Sequence, residues 1–361
     1  MKTKTLNIVL NAMATIAIFV IAASCNHKDL CYYHPHVAPI RLTVDWEKAN
    51  GNAQYIDGMT AHLFAKQEME QTINTTVTTH NVNEITFDLL EGNYSVAVFN
   101  STPEEYSTLK FYDLGSFNQA SVQVSETQVP WYSKYKVKSN DKFVAHQPEW
   151  IARGLADDIH VTKEMVETAE REYIDGGFVM GARSVNNAGE LVPDSLICTL
   201  SLKVKLQGID NFYKARAVVS GLALGKNIIS GNALSETVSH YSNMESWSLD
   251  PSSLGSDDKG EINGIISCFG LPAGFKGNPD DIKLTIEILL VDMKTIVTWD
   301  KALSIGHLIK QEDNGINLYM TESILFPQAL PFVQPSDGKE GDFGVGIEDW
   351  EREEIDILDH S

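Results

Sequence analysis

The residues best suited to metal or nucleophile chemistry are four cysteines and ten histidines, and one group of them is dense. His27, Cys31, His34 and His36 fall within ten residues. Imidazole and thiolate at that spacing are ligand types that zinc accepts. No second matching pair lies nearby and a polar leader is a poor cage, so no metal site is assigned. Gly221-Leu222-Ala223-Leu224-Gly225-Lys226 approaches a phosphate loop. Such a loop has four residues between its glycines and Ser or Thr after the lysine. Here there are three, followed by Asn227, and glycines at a strand bend explain the stretch better.

The carboxylate pairs Asp157-Asp158 and Asp257-Asp258 read as lying on polar loops. Acid–base catalysis needs burial to move one carboxyl's pKa, and nothing in the sequence marks either pair as buried. The acidic C-terminus, from Gly341-Asp342-Phe343 to Asp359, lacks the ligand spacing of a calcium loop and reads as a solvated strand edge. Neither H-E-x-x-H nor G-x-S-x-G occurs. No catalytic residue and no cofactor is assigned, and the chain is expected not to be an enzyme.

One cysteine stands in a different context. Met1-Lys2-Thr3-Lys4 is a short basic start, followed by apolar residues from Ile8 to Ala23 interrupted only by Asn11 and Thr15. Small residues then lead into Ala22-Ala23-Ser24-Cys25. A basic start, a short apolar run and small residues before a cut describe a secretory signal. The run falls short of the roughly 20 apolar residues of a membrane span. The cysteine directly after it resembles a bacterial lipobox, with Ala22 where Leu is commoner; the alternative is a secreted protein with an incidental Cys25. Residues 1–24 are expected to be removed, and Cys25 to carry acyl chains such as palmitate. Each buried methylene contributes about 0.8 kcal/mol, so several chains on one cysteine hold a protein firmly at a membrane.

Lys plus Arg total 28 against Asp plus Glu 49, a formal charge of −21 that becomes −23 once Lys2 and Lys4 leave with the signal. That balance argues against nucleic acid or anionic lipid as a charge-driven partner. Cys198 and Cys268 lie in apolar runs and read as small buried hydrophobes. A bond between them is permitted in an oxidising periplasm but is not implied by spacing.

The elements that would position any site are mostly strands. Leu42, Val44 and Trp46 alternate with polar residues, as do Ile85, Phe87 and Leu89, and Tyr94, Val96 and Val98 follow the turn formers Glu91-Gly92-Asn93. The Thr-rich stretch Thr72 to Thr79 also favours strand. Later, Leu196 to Leu206 and Ile282 to Ile288 alternate, and 215–224 and 261–271 read as further strands. Between these halves, Pro148 to Tyr173 reads as short helix, with Thr162 as N-cap of the segment from Lys163. Many short strands separated by turns predict antiparallel sandwiches, one on each side of a boundary near residue 180.

Three stretches carry a wider likeness: Cys25 to His36 running into Arg41-Leu42-Thr43-Val44-Asp45-Trp46, then Ala215-Arg216-Ala217-Val218-Val219-Ser220-Gly221, and Phe343 to Trp350. Their order and spacing resemble the fimbrillin-like lipoproteins of Bacteroidales, particularly relatives of minor fimbrial anchor subunits. The resemblance implies an all-β chain of two tandem transthyretin-like β-sandwich domains with a short helical connecting segment. The parts are a signal peptide (1–24), a lipidated leader (25–40), an N-terminal domain (41–179) and a C-terminal domain (180–361). It also implies an outer-membrane, surface-exposed lipoprotein that anchors or assists surface fimbriae in adhesion, with fimbrial subunits as partners through donor-strand complementation.

In such systems stalk subunits lose an N-terminal strand to an Arg-directed protease. The only early arginine here is Arg41, read as the start of the first strand, and a cut there would cost the chain its tether. An uncut anchor or accessory subunit is therefore expected. Lys28-Asp29 partly resembles a surface-export signal, and Asp194-Ser195-Leu196 fits the group's O-glycosylation pattern. The rival reading is a lipid-anchored surface binding module, an adhesin or glycan-capture lipoprotein, with Trp131-Tyr132, Tyr241 or Trp247 as stacking platforms.

Overall fold

The alternating segments become strands because each has one face to bury. The computed structural model describes residues 36–49, 56–66, 76–127, 138, 140–171, 177–179, 190–246, 259–299, 301–312 and 315–336. The first five strands are β1 (Ala38–Thr43), β2 (Met59–Ala65), β3 (Thr76–Thr79), β4 (Glu84–Leu89) and β5 (Gly92–Phe99). After them come β6 (Leu109–Tyr112), β7 (Ser121–Val124), β8 (Asp141–Ala145) and β9 (Ala152–Val161). Helix α1 (Lys163–Arg171) then leads to the short strands β10 (Phe178–Val179) and β11 (Asp194–Ser195).

Eight of these strands form two sheets, ordered β10-β1-β4 and β11-β9-β5-β2-β3, while β6 and β7 pair with each other and β7 and β8 each pair with a later strand. Ala38, Ile40 and Leu42 of β1 and Ile85, Phe87 and Leu89 of β4 share one core with Leu63, Val96, Val98 and Ile159. Each fully buried side chain of this size contributes about 1.5–3 kcal/mol. Val44 leaves the first strand to bridge Leu191, and Asp45 caps a short turn at Trp46–Lys48 by accepting from Glu47 N at 3.1 Å.

The stretch after Pro148 differs from the sequence expectation. It is strand, not helix, up to Val161. The inward row of β9 begins Ala152, Gly154 and Ala156, residues too small to announce a buried face. The alternation then breaks at Asp157-Asp158, where the register with β5 shifts and Asp158 adopts φ 59°. That is a β-bulge. The two aspartates thus lie on a strand rather than a loop. Helix begins only at Lys163, where Thr162 Oγ1 accepts from Met165 N at 3.2 Å, as its N-cap role requires. Gly154 is small for a reason: a Cβ there would sit 2.5 Å from Leu191 Cδ2 in the closed core. Gly154→Val is expected to cost about 1–3 kcal/mol by overpacking, read as a lower denaturation midpoint.

The later strands are β12 (Cys198–Gln207), β13 (Phe212–Ala223), β14 (Gly225–Asn227), β15 (Thr237–Ser246), β16 (Lys259–Cys268) and β17 (Lys283–Leu290). Shorter ones follow: β18 (Ile296–Thr298), β19 (Leu303–Ser304), β20 (Ile309–Gln311), β21 (Asn317–Met320) and β22 (Ile324–Leu325). Their main sheet runs β18-β17-β13-β15-β16-β12-β21-β20 over a second core that includes Leu200, Leu202, Val204, Ile262, Ile286 and Phe326. The chain is all-β and sandwich-like, with α1 as the one α-helix among the described residues.

A third core joins the two halves. Phe99 and Ala97 of β5, Val122 of β7, and Leu224, Val238 and Phe269 from the later half belong to it. Strand β5 is therefore buried on both faces, which explains its nearly unbroken apolar run. Backbone pairing crosses between the halves as well: β7 pairs antiparallel with β14, and β8 pairs parallel with β15.

Candidate functional site

The N-terminal strand is where the anchoring reading meets the structure. Cys25, the signal and the leader as far as Pro35 lie outside the described residues. From His36 onward the chain is moored: His36 Nδ1 contacts Glu170 Oε1 on α1. Strand β1 then runs between β4 and β10, paired antiparallel with one and parallel with the other. Arg41 is the fourth of its six residues rather than its start, opposite both Thr86 and Val179. Its guanidinium reaches Glu84, with Nη1 3.6 Å from Oε2. That half-exposed ion pair contributes at most about 1 kcal/mol; the two-sided backbone pairing is what fixes Arg41.

The other candidates separate. His27, Cys31 and His34 lie outside the described residues, while His36 is engaged with Glu170. Among the described residues no cluster of His, Cys, Asp and Glu is arranged to hold a metal ion. Gly221 occupies a bulge between Ser220 and Leu222 at φ 92°, the strand bend expected of it, and Lys226 turns to Cys198 with Nζ 3.5 Å from Sγ. Asp157 and Asp158 share Lys66, whose Nζ is 3.2 Å from Asp157 Oδ1 and 2.6 Å from Asp158 Oδ1. Asp257-Asp258, Trp131-Tyr132, Trp247 and the whole tail from residue 337 lie outside the described residues. Tyr241 sits half-buried in β15, where its carbonyl accepts from Gln147 Nε2 at 3.0 Å. Ser195 Oγ is tied into a local turn, accepting from Ile197 N at 3.2 Å, and Leu196 beside it is buried.

Several groups that position the halves gave no sequence signal. Asp141 of β8 is buried and accepts from Ser239 Oγ and Thr237 Oγ1, each at 2.6 Å, and from Gly221 N at 3.1 Å. Gln147 bridges β15 and β16, its amide donating to Tyr241 O and its carbonyl accepting from Ser267 N at 2.8 Å. Arg153 of β9 donates to the carbonyls of Ile228 and Ile229. His240 of β15 is fully buried, with neither ring nitrogen in a well-formed hydrogen bond, and burial pulls its pKa down to about 4. These links span long separations along the chain, so no local pattern announces them.

The outer strands of the sheets are the surfaces that could receive another chain. Among the described residues these are β4 and β10, β3 and β11, and β6 and β14 in the smaller sheets, and β18 and β20 in the main later sheet. An outer strand offers unpaired backbone donors and acceptors to a partner strand. A separate hollow of about 630 Å³ on β12, β15 and β16 is lined by Ser201, Lys203, Asn243, Glu261, Asn263 and Ile265, the last 65% exposed.

A solved structure of a candidate adhesin from Bacteroides ovatus is similar at a TM-score of 0.50 and 12% identity, covering 85% of this chain and 98% of that one. That likeness is one of fold. The fimbrial anchor protein Mfa2 from Porphyromonas gingivalis is similar at a TM-score of 0.38 and 10% identity, covering 69% of this chain and 77% of that one. The C-terminally truncated tip fimbrial protein Mfa3 of the same organism gives a TM-score of 0.30 and 9% identity, covering 76% and 83%. These structural neighbours are Bacteroidales adhesin candidates and fimbrial proteins. No curated protein matches the sequence. The family described as a domain of unknown function, DUF5119, matches residues 24–242, more than half of the 361-residue chain. The chain belongs to that family.

Proposed function

We propose that this chain is an outer-membrane lipoprotein, tethered through acyl chains on Cys25, that serves as an anchor or accessory subunit of a surface fimbria. The carrying observation is β1, paired on both flanks with Arg41 in its middle. A protease needs its substrate backbone extended and free, and here that backbone is committed to two neighbours. Arg41 therefore stays uncut, and the leader keeps the body joined to its lipid. The fold shared with the Bacteroides ovatus adhesin candidate supports a role in adhesion rather than catalysis. Two sandwich domains meeting near residue 180 and fused by the third core would pass a load from membrane to partner. A fimbrial subunit would join by adding a strand to one of the outer strands, donor-strand complementation of backbone by backbone.

The test is expression of the full chain in a Bacteroides-type host beside Cys25→Ala, with palmitate labelling, intact-cell surface labelling and pull-down. The wild type should take up label, be reached from outside and bring fimbrillin-like subunits with it, whereas Cys25→Ala should leave the membrane fraction. Mature protein beginning at Leu42 would sink the uncut-anchor reading.

The hollow beside Ile265 favours a second reading, a lipid-anchored adhesin or glycan-binding module, because hydroxyl-rich ligands suit its mix of amide, carboxylate and ammonium groups. Saturable quenching of tryptophan fluorescence by glycans, with no co-purifying subunit, would put that reading ahead.

A further inference from the structure

Cys198 and Cys268 stand directly opposite each other at one end of the ladder between β12 and β16. The antiparallel register then runs without a break to Gln207 opposite Lys259. Both side chains are buried, at 1% and 0% exposure, and both thiols are free. Residues directly opposed on antiparallel strands have Cα atoms about 4.5–5.5 Å apart, inside the ~4.4–6.8 Å that a disulfide spans. The long segment between the two cysteines hides this pairing from the sequence. Only the register brings them together.

Their surroundings leave room for a bridge. A Cβ on Gly270 would come within 3.2 Å of Cys198 Sγ, so the absence of a side chain there keeps space beside the sulfur. Gly270 holds φ 95°, a conformation that favours glycine in any case. Cys198 Sγ is 3.5 Å from both the Gly315 carbonyl and Lys226 Nζ. Burial, with Cys198 close by, pushes the Cys268 thiol up to about 12. Once folded, Cys268 is therefore protonated and out of reach of an oxidant. Any bridge must form while the sheet is still closing.

We propose that Cys198 and Cys268 become joined by a cross-strand disulfide when the chain folds in the presence of a thiol–disulfide oxidant, stapling β12 to β16. Two S–H bonds break and one S–S bond forms. The two protons and two electrons pass to the disulfide of the oxidant, a dithiol oxidase or oxidised glutathione, which leaves as two thiols. The staple ties together the pair of strands at the heart of the later sheet, since β12 also carries β21 and β22 on its other flank. It closes a long loop, the arrangement in which a cross-link most restricts the unfolded chain.

The experiment uses the full chain with Cys25→Ser and Cys31→Ser, unfolded and then refolded in a mixture of oxidised and reduced glutathione or in reductant alone. Each product is denatured and treated with a maleimide. The oxidatively refolded chain should take no maleimide, weigh about 2 Da less than its reduced counterpart, and melt about 5 °C higher. Dithiothreitol under denaturing conditions should restore two labelled thiols. Cys198→Ala should melt at the same temperature in both buffers. Two labelled thiols after oxidative refolding, or a glutathione adduct on each cysteine, would overturn the proposal.

Discussion

Asp141→Ala should lower the unfolding free energy by about 3–5 kcal/mol. The carboxylate is 8% exposed and accepts from three donors: the Gly221 amide, the Ser239 hydroxyl and the Thr237 hydroxyl. Hydrogen bonds to a charged acceptor contribute about 1.5–3 kcal/mol each, and stranding a buried donor costs about as much again. The hydroxyls can rotate toward other acceptors, but the Gly221 N–H is fixed by its strand. Gly221 sits at the bulge of β13 while Thr237 and Ser239 belong to β15, so one side chain of β8 pins two strands of the other half. Asp141→Asn keeps one acceptor oxygen and should lose about half as much. Denaturant titration with an unchanged m-value reads the effect cleanly. A loss under about 1 kcal/mol for Asp141→Ala would mean that water or another group satisfies those donors.

Acid should destabilise the fold through His240, by about 3 kcal/mol in full. The imidazole titrates near 6.5 when unfolded and near 4 when folded, because burial disfavours its charged form. The unfolded chain therefore binds the proton first. Stability is intact above about pH 6.5, falls as pH drops toward 4, and levels off below that. Burial also lowers the pKa of His62 and His146, so both push the same way. Glu105, Asp280, Asp281 and Asp292 have lowered carboxyl pKa values. Their contributions are lost only at more acid pH, so among the described residues the span between about 6.5 and 5 belongs to the histidines. His240→Leu should reduce the slope there by about one proton's share. An unchanged pH dependence of the unfolding midpoint in that variant would remove His240 from the account.

How legible each element was follows from what it buries. Strands β4, β12 and β17 have one apolar row and one polar row, and their alternation was plain. Strand β9 was misread as helix because its inward row opens with alanine and glycine and because the bulge at Asp157-Asp158 breaks its phase. The helix after it was legible from Thr162, since capping is a local signal. The candidate site divides the same way. Arg41 could be singled out from the sequence, but its place between two strands depends on β10, more than a hundred residues along the chain. Asp141, Gln147 and Arg153 gave no sign at all, because a residue that ties distant strands together needs only a polar group at the right place in space.

The setting of β1 also decides how the body would bear a pull on its leader. Tension entering at residue 36 would first meet the His36–Glu170 contact, a half-exposed link that yields early. It would then run along the axis of β1, whose hydrogen bonds to β4 and β10 lie across that line. Bonds loaded in shear share the force and fail together, whereas bonds peeled from one end fail singly. Forced unfolding is governed by the rate of that first rupture. A tether attached ahead of β1 thus meets the mechanically stronger of the two geometries, and a grip at the leader would hold under tension that would unzip a strand pulled sideways.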